Sequence, residues 1–385
     1  MTTSLLVNLT WLRPGRVGGT ERYAVDLVRA LSAPLAEHDW DVVLACDPTF
    51  ASAYPDVADK HEVANVPGLF GGAGRAGRVL AEQTWLARLG GQDTLVHHLG
   101  GTAARSRGPS VVTIYDVQFA THPEFFSSVK RKFLAAAVPA AIRRADAICV
   151  MSDFVARELT EHFGADPESI VVVPPALVCD GPVMVASSSE DRSPEAAVPL
   201  VGVAPPYVLF PAMTWQHKNH EVLLRAMSSE AISKSSLKLV FTGGEGPSHE
   251  AVVARIGDLG LSDRVTHLGR VDEATLDCLY RGAVALVFPS LHEGFGQPVS
   301  EAMLRGCPVL AASAGALPEV VGAGGQLVPP DEPDAWATSM LQLMDPQVRA
   351  LWVDAGYARS RAWSPERTAG AQLVAYELAL LRGAN

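Results

Sequence analysis

The segment HEGFGQPVSEAM, from His292 to Met303, sets two carboxylates, Glu293 and Glu301, on either side of a glycine-rich loop. Gly294 and Gly296 bare backbone N–H groups and let a ligand come close. Pro298 suits the first residue of a helix, where its missing N–H goes unused, and Gly306 suits the helix end. A helix N-terminus carries partial positive charge and favours phosphate. Carboxylates accept hydrogen bonds from paired hydroxyls, as on a sugar or a ribose. Glu301 falls one turn into the helix, its side chain tilted back toward the loop. The two acids can therefore hold two polyols on either side of a phosphate. The same letters also spell a capped helix with two solvated acids.

Two other stretches carry matching chemistry. PAMTWQHKNH runs from Pro211 to His220, with Asn219 able to cap the following helix and Lys218 beside it. A cation at a helix start opposes the dipole, so Lys218 makes better sense facing an anion. RVGGTERY, from Arg16 to Tyr23, places Gly18 and Gly19 at the opening of the first helix, where their amides are exposed. At the rim of the first half, Asp116 in TIYDVQFATHPEFF (113–126) fits either a polar ligand contact or a strand-end cap. His97 in HHLGGT fits either the acceptor side of a site or a satisfied rim histidine, and Ser152 caps the helix that starts at Asp153.

These residues need strands and helices to hold them. Short apolar runs predict strands at 5–9, 41–45, 62–66, 95–97, 111–114, 147–150 and 170–173, with helices near 20–37, 78–89, 128–144 and 153–163. From Asp180 to Pro206 the chain turns rich in Ser, Pro, Ala and Glu, which predicts a linker or mobile loop. The alternation then resumes. Strands are expected at 207–210, 237–241, 264–268, 284–288, 308–312 and 326–328, with helices at 220–227, 247–260, 273–281, 298–305 and 334–344. A last helix is expected over roughly 365–381. This rhythm predicts an α/β chain with two doubly wound units. Loop 290–297 then sits at the carboxyl end of a parallel strand, where such sheets bind ligands.

The bulk numbers agree. A chain of 385 residues with 48 % hydrophobic content suits two domains. A net charge of −11 argues against a general nucleic-acid binder. Five scattered cysteines without a CxxC fit a reducing cytoplasm. The start, MTTSLLVNLTWLRPG, reads as a buried first strand rather than a signal peptide. No stretch approaches the roughly 20 apolar residues of a membrane span. A cytoplasmic protein is expected, with peripheral contact at the inner membrane surface left open.

The EGFG–P–EAM text closely resembles the E-x7-E signature of retaining glycosyltransferases of family 4, which have the two-domain GT-B fold. LYRGA (279–283), FPS (288–290), GCPVL (306–310) and ALPEVVG (316–322) resemble that family too, and the likeness is most specific from about 207 to 330. The resemblance implies two Rossmann-like domains facing across a cleft. Their expected bounds are 1–180 on the acceptor side and 207–362 on the nucleotide-sugar side. Linker 181–206 joins them, and a helix over 363–385 returns to the first domain. It implies transfer from a UDP-, GDP- or dTDP-sugar donor to a hydroxyl acceptor of unknown class, with retention. The lack of any metal-spaced histidine or carboxylate cluster in the sequence adds the expectation of no metal, and the net charge that of no nucleic-acid partner.

The family's roles fall on matching positions. Glu293, with Phe295, Gly296 and Gln297, would hold the transferred sugar, and Glu301 the ribose. Lys218 would neutralise the diphosphate, with His217 where the family often has arginine and Ala212 where it has glycine. Gly19, next to Gly18, matches the phosphate-facing glycine of the first loop. Tyr115 stands where histidine is common before the Asp116 position and could donate one bond to a sugar hydroxyl from a different distance, and both residues would face the donor sugar or acceptor. Asp39-Trp40-Asp41 spells the metal-binding DxD of the other large glycosyltransferase fold. Here it enters a strand, whereas a metal site needs it at a strand's exit, so it reads as a polar turn. Glycosidase-style acid and nucleophile roles for the glutamate pair fit the anion-binding loop poorly. The alternatives are a nucleotide-sugar epimerase or hydrolase of related fold, and a catalytically weak nucleotide-binding relative.

Overall fold

The computed structural model describes residues 3–16, 18–177 and 203–384. Most of the expected linker, 181–202, and Val17 lie outside them. The chain divides into two compact units, one of Met1–Val178 with Trp363–Asn385 and the other of Cys179–Ala362.

In the first unit, β1 (Thr3–Leu9), α1 (Gly19–Glu37), β2 (Trp40–Cys46), β3 (Glu62–Asn65), α2 (Gly74–Ala81), β4 (Thr94–His98), β5 (Ser110–Ile114), α3 (Ser128–Arg144), β6 (Ala147–Val150), α4 (Asp153–Phe163) and β7 (Ile170–Val172) follow in order. The sheet runs β3-β2-β1-β4-β5-β6-β7, all pairs parallel. β5 and β6 are buried at every residue, as parallel strands covered on both faces must be.

The second unit contains β8 (Tyr207–Pro211), α5 (His220–Met227), β9 (Lys238–Thr242), α6 (His249–Asp258), β10 (Val265–His267), α7 (Glu273–Gly282), β11 (Ala285–Phe288), α8 (Gln297–Leu304), β12 (Val309–Ala312), α9 (Leu317–Val321), β13 (Gln326–Val328), α10 (Pro333–Gln342) and α11 (Pro346–Ser360). Its parallel sheet runs β10-β9-β8-β11-β12-β13. In both sheets the strand order reverses once, between β1 and β4 and between β8 and β11. The loops that leave those strands in opposite directions open a crevice at their carboxyl ends.

α12 (Pro365–Gly383) closes the first unit. It buries Thr368, Ala369, Gln372, Ala375, Tyr376 and Ala379. Tyr376 stacks on Trp40 with ring centroids 5.6 Å apart.

Three elements differ from the sequence reading. The helix expected over 78–89 is α2 followed by a π turn at Glu82–Leu86 and one more turn at Ala87–Leu89. The wider turn swings Glu82 inward, where Thr10 Oγ1 donates to it at 2.8 Å. α11 was not foreseen: only Val353, Gly356 and Ser360 are buried, too sparse a stripe to show a helical period. α9, five residues long, is below the length at which periodicity speaks.

Candidate functional site

In the second unit the β8–β11 adjacency brings two separated stretches together. The β8 loop ends in a 3-10 turn, Gln216–Lys218, broken by Asn219 in the left-handed region at φ 58. Asn219 occupies the N-cap position of α5, but its side chain does not cap the helix. Its amide instead donates to the Pro330 carbonyl at 2.7 Å and the Pro289 carbonyl at 3.2 Å, tying the exits of β13 and β11 to this turn. The capping expectation is thus corrected: a left-handed residue cannot aim its side chain at the helix amides as an extended N-cap does. The Leu291 N–H adds a bond to the His217 carbonyl at 2.8 Å.

Lys218 thereby faces Glu293. Its Nζ donates to Glu293 Oε1 at 2.5 Å, with 18 % and 15 % of the two side chains exposed. The ammonium also stands 5.4 Å from the Phe288 ring centroid. Burial pushes the Glu293 carboxyl up, but the Lys218 charge, His217 and the hydrogen bond from Lys218 outweigh it and hold it below its ordinary value. Glu293 is therefore an anion gripped by a cation, both reachable from solvent.

The backbone around Glu293 is fixed by close approaches. Its carbonyl accepts from the Ala316 N–H at 3.0 Å, and a Cβ on Gly315 (φ +58) would lie 2.8 Å from its nitrogen. Gly296, at φ +92, is the N-cap of α8, and a Cβ there would meet Leu317 Cδ2 at 2.6 Å. Phe295 is 3 % exposed, so its ring is core and only its backbone can serve a ligand. Gln297 and Pro298 open α8, and Gly306 follows its end at φ +68.

Glu301, half-buried one turn into α8, accepts from the Tyr280 hydroxyl at 3.1 Å through Oε2. Oε1 has no partner among the described residues and remains an acceptor. Arg305, whose Nε donates to Asp277 at 2.8 Å, lies over the Tyr280 ring at 5.4 Å and fixes that phenol. Within LYRGA, the letter of Tyr280 alone carries no signal for this positioning contact, which depends on α7 packing beside α8. The β8 loop also rests on the β9 loop. The Gly246 N–H donates to Thr214 Oγ1 at 2.8 Å, and a Cβ on Gly246 would lie 2.6 Å from the Thr214 carbonyl oxygen.

In the first unit, Gly18 (φ +80) is the N-cap of α1, and both Gly18 and Gly19 are exposed. Glu21 braces this loop from inside: its Oε1 accepts from the Gly15 N–H at 2.7 Å and the Tyr54 hydroxyl at 2.5 Å. Tyr115 is half-buried and its hydroxyl donates to the Leu99 carbonyl at 2.7 Å. Its one proton is spent within the fold, so the expected donation to a sugar is corrected: toward a ligand the phenol oxygen can only accept. Asp116 is exposed and accepts from the Gln118 N–H at 3.1 Å through Oδ1, the local cap the sequence allowed, with no partner for Oδ2 among the described residues.

Behind Asp116, Glu158 of α4 is 7 % exposed, and its carboxyl is pushed up to about 7 by burial, then by Asp116 and Glu161. The sequence reading missed it, because an acid in a regular amphipathic helix reads as solvated. His97 is an interior histidine, which corrects the expectation of a residue at a rim or on the acceptor side: it is fully buried. Its ring pairs with the Tyr376 hydroxyl at 2.9 Å and Thr113 Oγ1 at 2.8 Å, and burial keeps it neutral down to about 3. Ser152 caps α4 as expected. Asp39 turns at φ 55 before β2, away from any strand exit.

Comparison with known proteins gives concordant matches. A family model described as Glycosyltransferase Family 4 matches residues 17–180, and one described as Glycosyl transferases group 1 matches 205–346. The O-antigen chain mannosyltransferase B of Escherichia coli is 26 % identical over 94 % of this chain and 96 % of its own. A D-inositol 3-phosphate glycosyltransferase of Segniliparus rotundus is 31 % identical over 63 % of this chain and 54 % of its own. Among solved structures, a sucrose-phosphate synthase from Thermosynechococcus elongatus superposes with TM-score 0.74 at 20 % identity, covering all of both chains. The Anabaena protein HepE, solved with UDP and glucose, gives 0.72 at 21 % identity over 98 % of this chain and 99 % of its own.

Proposed function

The chain belongs to glycosyltransferase family 4, with the GT-B fold, and on that premise we propose that it moves a sugar from a nucleoside-diphosphate donor to a hydroxyl acceptor, with retention and without a metal. The observation that carries this reading is the Lys218–Glu293 pair at the β8–β11 crevice, with the open oxygen of Glu301 one turn into the helix that follows the same loop.

Breaking the bond between the anomeric carbon and the diphosphate builds negative charge on the leaving oxygen. An ammonium already aimed there stabilises that charge without reorganising. Lys218 supplies it, and the diphosphate takes over the contact that Glu293 makes in its absence. Glu293, held ionised, then accepts hydrogen bonds from hydroxyls of the transferred sugar. Glu301, steadied by Tyr280, accepts from the ribose. In front-face transfer the acceptor oxygen bonds to the anomeric carbon as the carbon–phosphate-oxygen bond breaks. The acceptor's proton passes to the departing phosphate, giving the nucleoside diphosphate and the glycoside, and no protein nucleophile is consumed. His217, beside Lys218, adds polar surface for the diphosphate. On the first unit taken by itself, Asp116 and the Tyr115 oxygen offer acceptors for hydroxyls, and Gly18 and Gly19 offer exposed amides.

The donor base, UDP, GDP or dTDP, is settled by a nucleotide-release assay across those donor sugars. Slow release that an acceptor accelerates, with product of retained anomeric configuration and undiminished by a chelator, is expected. A rearranged sugar still joined to nucleotide would replace this reading with an epimerase. Binding without turnover would leave a nucleotide-binding relative.

A further inference from the structure

The first unit carries a surface feature that sugar transfer does not use. The end of α2 and the first two turns of α3 enclose an open groove of about 520 Å³, walled by Val79, Leu80, Val129 and Phe133 with the stems of Arg78 and Lys130. Val129 is 82 % exposed, Leu80 53 % and Phe133 40 %. Val129 and Phe133 sit four residues apart, so they share one face of α3, and that face points outward. α3 meets the core through other positions, Val138, Ala141 and Ile142. A large apolar face rimmed by polar residues marks an interaction site.

The charge around the groove selects the occupant. Lys130, Arg131 and Lys132 are consecutive between the two apolar residues, in a chain whose net charge is −11. Arg131 and Lys132 are exposed and have no acidic partner among the described residues. Lys130 Nζ lies 4.8 Å from the Phe126 ring, and Arg78 on the facing wall lies 3.6 Å from Glu82. Long cationic side chains that line apolar surface with their stems while their heads reach past it suit the boundary between lipid tails and headgroups. A symmetric contact between two copies would set the same cations against each other. An uncharged apolar ligand would leave them without purpose.

We propose that this α2–α3 groove is a membrane-docking surface: Leu80, Val129 and Phe133 enter the acyl region of an anionic bilayer while Lys130, Arg131 and Lys132 meet its phosphates. The contact is monotopic, since no described helix is long and apolar enough to cross a membrane. It goes beyond the sugar-transfer reading and stands independently of it.

The test is co-sedimentation of the full chain with phosphatidylcholine vesicles and with phosphatidylcholine–phosphatidylglycerol vesicles. Binding is expected to the second only, to weaken with added salt, and to fall by about tenfold or more in Val129→Asp/Phe133→Asp and in Lys130→Glu/Lys132→Glu. Nucleotide release with a water-soluble acceptor and the melting temperature should stay at the wild-type level in both variants. No binding to the anionic vesicles overturns the proposal, as does binding that the apolar pair of substitutions leaves intact. A concentration-dependent dimer in light scattering that Val129→Asp/Phe133→Asp dissolves also overturns it, by giving the face to a second copy.

Discussion

A lysine at hydrogen-bond distance from a glutamate can brace a loop or hold its charge ready for an incoming anion. Lys218 is distinguished by where it stands, on a turn that Asn219 and Leu291 sew to the neighbouring loop. If its charge meets a diphosphate, Lys218→Ala should cut turnover by about 10²-fold, in line with the loss of one preorganised donor to a developing oxyanion. Steady-state kinetics with the identified donor checks this, and an unchanged kcat would leave Lys218 as a brace only. If Glu301 holds the donor's ribose, Glu301→Ala should raise the KM for the donor by about tenfold or more. Glu293 predicts a pH dependence. Its carboxyl is held below the ordinary value near about 4.3, so its ion-pair contribution to stability is full above that range. The contribution disappears only as pH falls through the lower folded value. Melting curves from neutral to acid pH should show this loss in wild type and not in Glu293→Gln.

At the scale of elements, the glycines and α4 make the testable cases. Gly296 combines positive φ with a neighbour 2.6 Å from any added Cβ, so Gly296→Ala should destabilise the second unit by about 1–3 kcal/mol and pull α8 away from the loop it caps. Calorimetry reads the first effect and donor affinity the second. Glu158 works the other way. Its carboxyl titrates near 7 in the fold, so between about 4.3 and that value the folded chain keeps a proton that the unfolded chain has released. Stability therefore falls as pH rises through that window. Glu158→Gln should abolish the fall and raise the melting temperature at pH 8, and an unchanged slope would mean that Glu158 is ionised within the fold. The helices that sequence missed fail for a physical reason too. α11 buries too few residues to show a period, and the π turn after α2 breaks the 3.6-residue spacing on which such readings rest.

On the scale of the molecule, α12 lies nearly two hundred residues beyond the rest of its unit, yet it completes that unit. Tyr376 holds His97, Gln372 Nε2 lies 3.4 Å from Cys149 Sγ, and Thr368 Oγ1 donates to the Pro174 carbonyl at 3.0 Å. A chain ending at Ser364 should lose the first unit's cooperative melting while the second unit keeps its own transition. Two-domain calorimetry separates the outcomes. Tyr376→Phe, which leaves a buried histidine nitrogen without its partner, should cost about 1–3 kcal/mol of the first transition alone.

Much of this protein is written locally. Strand and helix positions follow from apolar runs and their periods, since burial on both faces of a parallel sheet demands them. The family follows from short motifs whose glycines, proline and acids each serve one loop. Tertiary structure decided which of those loops meet. Lys218 and Glu293 are 75 residues apart and come together because β8 and β11 are neighbours where the strand order reverses. Strand order is a property of the whole sheet, which no local spacing encodes. Tyr115 shows the converse: its letter promised a donor, and only packing revealed that the Leu99 carbonyl already takes its proton. A side chain's chemistry is fixed by its type, but its spare capacity is whatever the neighbours in space leave over.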